Sequence, residues 1–250
     1  MLDLVTQASH LTVLNGVNAS TALIRLARSA GKRAAWLQGD LRLAQLLSAA
    51  ERLFVATEAQ NFANTLYACG KLGLVLPPDW LQRYWQASES KLGEFKPQDL
   101  SNTLYACGLL GITPPADWLS RYWLVSASTL GEFIPQALSN TLYACGQLGM
   151  TPPADWLLRY WHVSASTLGE FKPQALSNTL YACGQLGITP PADWLSRYWL
   201  VSASTLGEFN LQALSNTLYA CGQLDIEPPA DWLQSVSDAF QRLLPNASHQ

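Results

Sequence analysis

The side chains most able to make specific polar contacts recur on one helical spacing. Two and six positions after Trp80 stand Gln82 and Gln86. The same places hold Ser120 and Leu124 after Trp118, Leu158 and His162 after Trp156, and Ser196 and Leu200 after Trp194. A spacing of four puts both members of each pair on one helix face. Glu89, Ala127, Ala165 and Ala203 continue that face, and Arg83, Arg121, Arg159 and Arg197 lie beside it. Gln and His can hydrogen-bond base edges, while Arg can meet phosphate or stack on a ring. A face that varies while its surroundings repeat suits unit-by-unit recognition. Helical RNA-binding repeats work this way, with two or three side chains per base. Four full units would then read about four bases. The competing reading is drift on a solvent face, with Leu124, Leu158 and Leu200 serving in packing.

Catalytic chemistry has no comparable footing. His10, His162 and His249 are isolated, and no Gly-rich phosphate loop or nucleophile motif is present. Cys69, Cys107, Cys145, Cys183 and Cys221 stand 38 residues apart, without a CxxC pair or clustered His. Each falls in a helical pattern such as Leu138, Leu142, Cys145, Leu148, where it reads as a small buried hydrophobe. We expect no enzyme activity, cofactor or metal site, and no small-molecule substrate.

The elements that carry these residues repeat as a block. Trp80, Trp118, Trp156, Trp194 and Trp232 recur with the same 38-residue period as the cysteines. Such a period marks a solenoid, whose units bury their apolar faces only by stacking. Each unit reads as two helices. Helix A starts at the double proline, with Thr113 as a cap and Asp117 near the positive helix end. Asp117 also stands four residues before Arg121, the favourable order for an ion pair. Leu119, Trp123, Ser126 and Leu130 form one seam, and Trp118, Tyr122 and Val125 the next. Gly131 is the expected stop. Helix B runs from about Pro135 to Leu148, with Gly149 as a left-handed cap. Gly146 inside it weakens the helix by about 1 kcal/mol against Ala and points to close helix–helix approach. Asn64, Asn102, Asn140, Asn178 and Asn216 fall in register; a ladder of amides bonding backbone between turns is the expected role, with ligand contact as the alternative.

The ends depart from the pattern. Ser20–Arg33 reads as an amphipathic helix whose Arg25, Arg28, Lys32 and Arg33 share one face, either simply solvated or a phosphate-binding stripe. Leu41–Ala56 reads as a second helix. Residues 1–58 are therefore expected to be a diverged N-terminal helical cap or repeat, 59–231 the array, and 232–250 a partial terminal repeat and tail. Leu211 replaces a proline and Asp225 a capping glycine.

The hydrophobic fraction of 49% beside a charged fraction of 13% describes a chain that can bury a core rather than a disordered one. No apolar run nears the roughly 20 residues that span a bilayer, so no membrane partner is expected. The opening MLDLVTQASH resembles neither a secretory signal nor a transit peptide. Net charge is −3. Nucleic-acid affinity leans on phosphate neutralisation, so RNA binding would need a local basic stripe and arginines not consumed by Asp.

The sequence PPADW, then LGEF, then PQALSNTLYA, on a 38-residue period, resembles the octotricopeptide repeat family over about residues 59–244. The acidic residue before Trp is present as Asp79, Asp117, Asp155, Asp193 and Asp231; only Pro77 and Pro78 sit one residue closer to their Trp. The resemblance implies an α-α superhelix of antiparallel helix pairs. It also implies sequence-specific binding of single-stranded organelle RNA in transcript processing, stability or translation, in chloroplast or mitochondrion. The expected fold class is thus all-α, a solenoid of 38-residue antiparallel helix pairs. The expected partner is single-stranded RNA, with protein partners beside it. The alternative is a tetratricopeptide-like scaffold that binds a peptide in its concave groove.

Overall fold

The computed structural model describes residues 14–30 and 37–247. Its described residues form twelve α-helices and no strand. The chain separates into two compact units, Met1–Thr129 and Leu130–Gln250. Each is an all-α stack of antiparallel helix pairs, as the 38-residue period predicts.

The first unit contains α1 (Gly16–Ala30), α2 (Leu41–Arg52), α3 (Ala59–Leu72), α4 (Pro78–Glu89), α5 (Pro97–Leu110) and α6 (Ala116–Thr129). Helices α1, α3 and α5 lie in one layer, the B layer, and α2, α4 and α6 in the other, the A layer. The N-terminal region is therefore built on the same plan as the repeats. α1 packs on α3, where the Ser20 hydroxyl donates to Asn61 Oδ1 at 2.8 Å. Asp40 caps α2 by accepting from the Arg42 amide at 2.8 Å. The hydrogen-bonded Arg42 side chain holds its carboxyl down to a pKa of about 2.

The second unit contains α7 (Pro135–Leu148), α8 (Ala154–Thr167), α9 (Pro173–Leu186), α10 (Ala192–Thr205), α11 (Leu211–Leu224) and α12 (Ala230–Ala247). Here α7, α9 and α11 form the B layer, and α8, α10 and α12 the A layer.

Helix B has the expected bounds, and its cap Gly149 adopts φ 61°. Five expectations for helix A are corrected. In α6, α8, α10 and α12 it starts after the second proline, with Pro153 and Pro191 at the N-cap positions of α8 and α10, whereas α4 starts at its second proline, Pro78, behind Pro77. Thr113 lies outside α6 and is exposed. Gly131 does not end the helix in a left-handed turn. It lies inside a 3₁₀ turn, Leu130–Glu132, whose Leu130 is buried, and its φ is not positive. The buried seam is Trp118, Tyr122 and Ser126, at i, i+4 and i+8, while Leu119, Trp123 and Val125 are only half-buried. Finally, Asp117 and Arg121 form no ion pair, nor do Asp155 and Arg159.

The two layers are held by different chemistry. In the A layer, indoles bridge successive helices. Trp194 Nε1 donates to Ser164 Oγ at 3.0 Å, and Trp232 Nε1 to Ser202 Oγ at 2.9 Å. The first unit repeats the contact between Trp118 and Ser88 at 3.0 Å. Each of these serines is buried, so the indole N–H finds its partner in a dry interface. Trp161 meets Trp194 edge-on at 5.3 Å between ring centroids, and Trp199 meets Trp232 in the same way at 5.0 Å. In the B layer the helices approach until backbone nearly meets backbone. A Cβ on Gly184 would lie 3.0 Å from Ala220 Cα, and one on Gly146 3.1 Å from Ala182 Cα. Ser139 Oγ donates across the same interface to Ala175 O at 2.9 Å.

The cysteines line the B-layer core. All five are free and buried, and burial raises the thiol pKa to about 12 at Cys69 and about 11 at Cys221. Such thiols stay protonated and inert at neutral pH, in line with a packing role.

Candidate functional site

Both layers present an exposed, repeated surface. The A-layer surface is the one singled out by residue type. Gln82, Gln86, Ser120 and Leu124 in the first unit, and Leu158, His162, Ser196 and Leu200 in the second, are all exposed. Leu124, Leu158 and Leu200 are 75%, 71% and 74% exposed, so packing does not account for them. Ser120 and Ser196 turn their hydroxyls back onto the helix carbonyls of Ala116 and Ala192, both at 2.9 Å.

The four arginines beside this column are also exposed, but they are not equivalent. Arg83 pairs with Glu51 of α2. Arg197 Nη1 reaches the Ala165 carbonyl at 3.4 Å. Arg121 and Arg159 make no ion pair. Their freedom removes one objection to anion binding, since Asp does not consume their charge. At the N-terminal end Arg25 and Arg28 are exposed on α1, whereas Lys32 and Arg33, like His10 and His249, lie outside the described residues.

The B-layer surface was only partly legible. Gln136, Asn140, Tyr143 and Gln147 stand at i, i+4, i+7 and i+11 on α7, one continuous stripe on the side away from the buried Leu138, Leu142 and Cys145. The stripe recurs on α9 and α11, and its tyrosine rings form a row. Tyr143 and Tyr181 are 6.3 Å apart between centroids, and Tyr181 and Tyr219 5.3 Å. The first unit has the same arrangement, with Tyr67 and Tyr105 6.3 Å apart.

The expected asparagine ladder does not form. Asn102 accepts from Gln98 of its own helix at 2.8 Å, and Asn140, Asn178 and Asn216 make no hydrogen bond to a neighbouring helix. Their amides are half-exposed, and α7 is joined to α9 instead by the buried Ser139, one position away, while the equivalent Ser177 hydroxyl makes no such bond. Spacing alone could not separate the two, because adjacent positions on a helix near its packing edge share the same period.

Among the described residues, no group of His, Cys, Asp and Glu is placed to hold a metal ion. No helix described is long and apolar enough to cross a membrane.

A comparison with curated proteins finds no match. A comparison with protein families matches residues 80–230 to the family described as Tbc2 translation factor, N-terminal domain. The matched segment runs from the tryptophan of the first full repeat to the start of the last. It contains both exposed surfaces of α5 to α11 and covers more than half the chain. The repeat array just described is thus the part that carries the likeness, and the chain belongs to the Tbc2 translation factor N-terminal domain family.

Proposed function

We propose that this chain is a non-enzymatic RNA-binding repeat protein that acts on organelle transcripts, in translation or in RNA processing and stability. The family match over the repeats carries this reading, because a translation-factor domain made of near-identical helix pairs has its exposed repeated surfaces as its means of recognition. The resemblance to octotricopeptide repeats supports single-stranded RNA as the ligand and chloroplast or mitochondrion as the site. The unpaired Arg121 and Arg159 supply positive charge on a chain of net charge −3, where field depends on local distribution rather than the total.

Selection of the purified chain against a randomised single-stranded RNA pool, at two salt concentrations, tests the reading. Enrichment of a short motif is the expected result. No enrichment at low salt would refute it. The A-layer column then has its own test. Changing Gln86 or His162 would shift preference at one nucleotide if that column reads bases. Replacing Arg121 would weaken all sequences alike and lower the salt slope by about one if it contacts phosphate.

A second reading, a protein-interaction scaffold, draws on one observation: in the second unit Leu158 and Leu200 stay exposed on the A layer. Exposed apolar side chains grouped on one surface mark protein contact sites. Retention of a protein partner by wild type but not by a Leu158→Ser, Leu200→Ser variant would favour it.

A further inference from the structure

Most of the identity between repeats has a packing reason. The Trp–Ser pairs bond in the A layer, Gly184 meets Ala220 in the B layer, and the cysteines fill its core. In the B-layer stripe Gln147 Nε2 donates to Gln185 Oε1 of the next B helix at 3.3 Å, but the Asn has no such reason. Asn140, Asn178 and Asn216 are half-exposed and bond no neighbouring helix. Even so, Asn is kept in all five copies, including Asn64 in the diverged first one, whereas the corresponding A-layer position runs Gln82, Ser120, Leu158, Ser196.

We propose that the B-layer stripe is the base-contacting surface, and that it selects a single-stranded run of adenines, one per repeat. The proposal rests on the RNA-binding reading above and specifies its surface and ligand. An amide offers a donor and an acceptor side by side, the arrangement that pairs bidentately with adenine. The tyrosine row supplies ring surface against which a base plane can lie, and stacking of this kind contributes about 1–3 kcal/mol per base. Rings 5.3–6.3 Å apart exceed the roughly 3.4 Å step of a stacked strand, so one base per ring requires an unstacked single strand. Because each helix repeats the same Gln, Asn and Tyr, each step reads the same base. A repetitive reader implies a repetitive target. In the second unit the stripe carries no charged side chain at these positions, which suits base edges rather than phosphates.

The test is fluorescence anisotropy of the full chain with labelled oligoadenylate, oligouridylate, oligocytidylate and a mixed-sequence RNA of equal length. The variants are Asn140→Asp with Asn178→Asp, and Asn140→Ala with Asn178→Ala. Both sites are half-exposed, so an unchanged circular dichroism melt separates lost recognition from lost folding. Oligoadenylate should bind about tenfold or more tightly than the other RNAs, and both double variants should lose that preference. Equal binding of all RNAs, an adenine preference untouched by the variants, or selection of a mixed motif would overturn the inference and leave the RNA-binding reading intact. No binding to any RNA would overturn both.

Discussion

The A and B layers of each unit face the same constraint, a 38-residue period, and meet it differently. A helices stand apart and touch through large side chains, whose rings and hydroxyls fill the gap. B helices touch almost backbone to backbone. Variation follows from this difference. A side chain on the outer face of an A helix meets only solvent, so Gln, Ser and Leu can replace one another there. A B helix tolerates no added carbon on the facing side. The B-layer outer stripe stands out against this rule: the positions of Gln136, Asn140 and Tyr143 keep their residue type from α3 to α11, and only the fourth varies, as Lys71, Leu109, Gln147, Gln185 and Gln223.

Six substitutions would break or sharpen this comparison. The largest effect is expected for Trp194→Ala, which empties a fully buried indole site and removes its bond to Ser164; thermal or denaturant unfolding should show a loss of about 3–5 kcal/mol. Gly184→Val forces carbon into a 3.0 Å contact with the Ala220 backbone and should cost about 2–3 kcal/mol, whereas Gly169→Ala, which meets nothing within 4 Å, should not destabilise. Equal melting of these two variants would contradict the close B-layer approach. Ser202→Ala leaves the Trp232 indole N–H without its buried acceptor, and a loss of about 1–2 kcal/mol is expected in the same measurement. Asp225→Gly should gain up to about 1 kcal/mol, because Asp225 holds φ 52°, a left-handed conformation that costs an L side chain more than glycine. The smallest effect belongs to Leu200→Ser, 74% exposed before the change, whose melting should stay within about 0.5 kcal/mol of wild type.

Two irregular copies show how local chemistry preserves a shared backbone. Where α5, α7 and α9 begin with proline, α11 begins with Leu211, and Asn210 caps it by accepting from the Ala213 amide at 2.8 Å. Where other B helices end on glycine, α11 ends on Asp225, one of the few residue types that enter the left-handed region with modest strain. Neither change alters the helix length. In α5 the variation is buried instead: Asp99 stands where α7, α9 and α11 have Ala and α3 has Asn61, accepts from the Lys96 amide at 3.1 Å, and has its pKa raised by burial.

Much of this was legible in the primary structure. The period alone implied helix pairs that must stack, since neither amphipathic helix can hide its apolar face in isolation. Pro at the start and Gly at the end bounded helix B correctly, because both residues act through the local backbone. The glycine within the helix announced close packing for the same reason. Tertiary structure decided what lies within one or two positions of a helix boundary. The hydrogen bond of Trp194 to Ser164 spans 30 residues, so no local rule assigns Ser164 to the tryptophan seam. Whether Asp117 reaches Arg121 depends on rotamers that spacing permits but does not require. The asparagines showed the same limit. Their register was plain from the sequence, but whether their amides meet a neighbouring helix or solvent depends on how one helix is rotated against the next, which only packing settles.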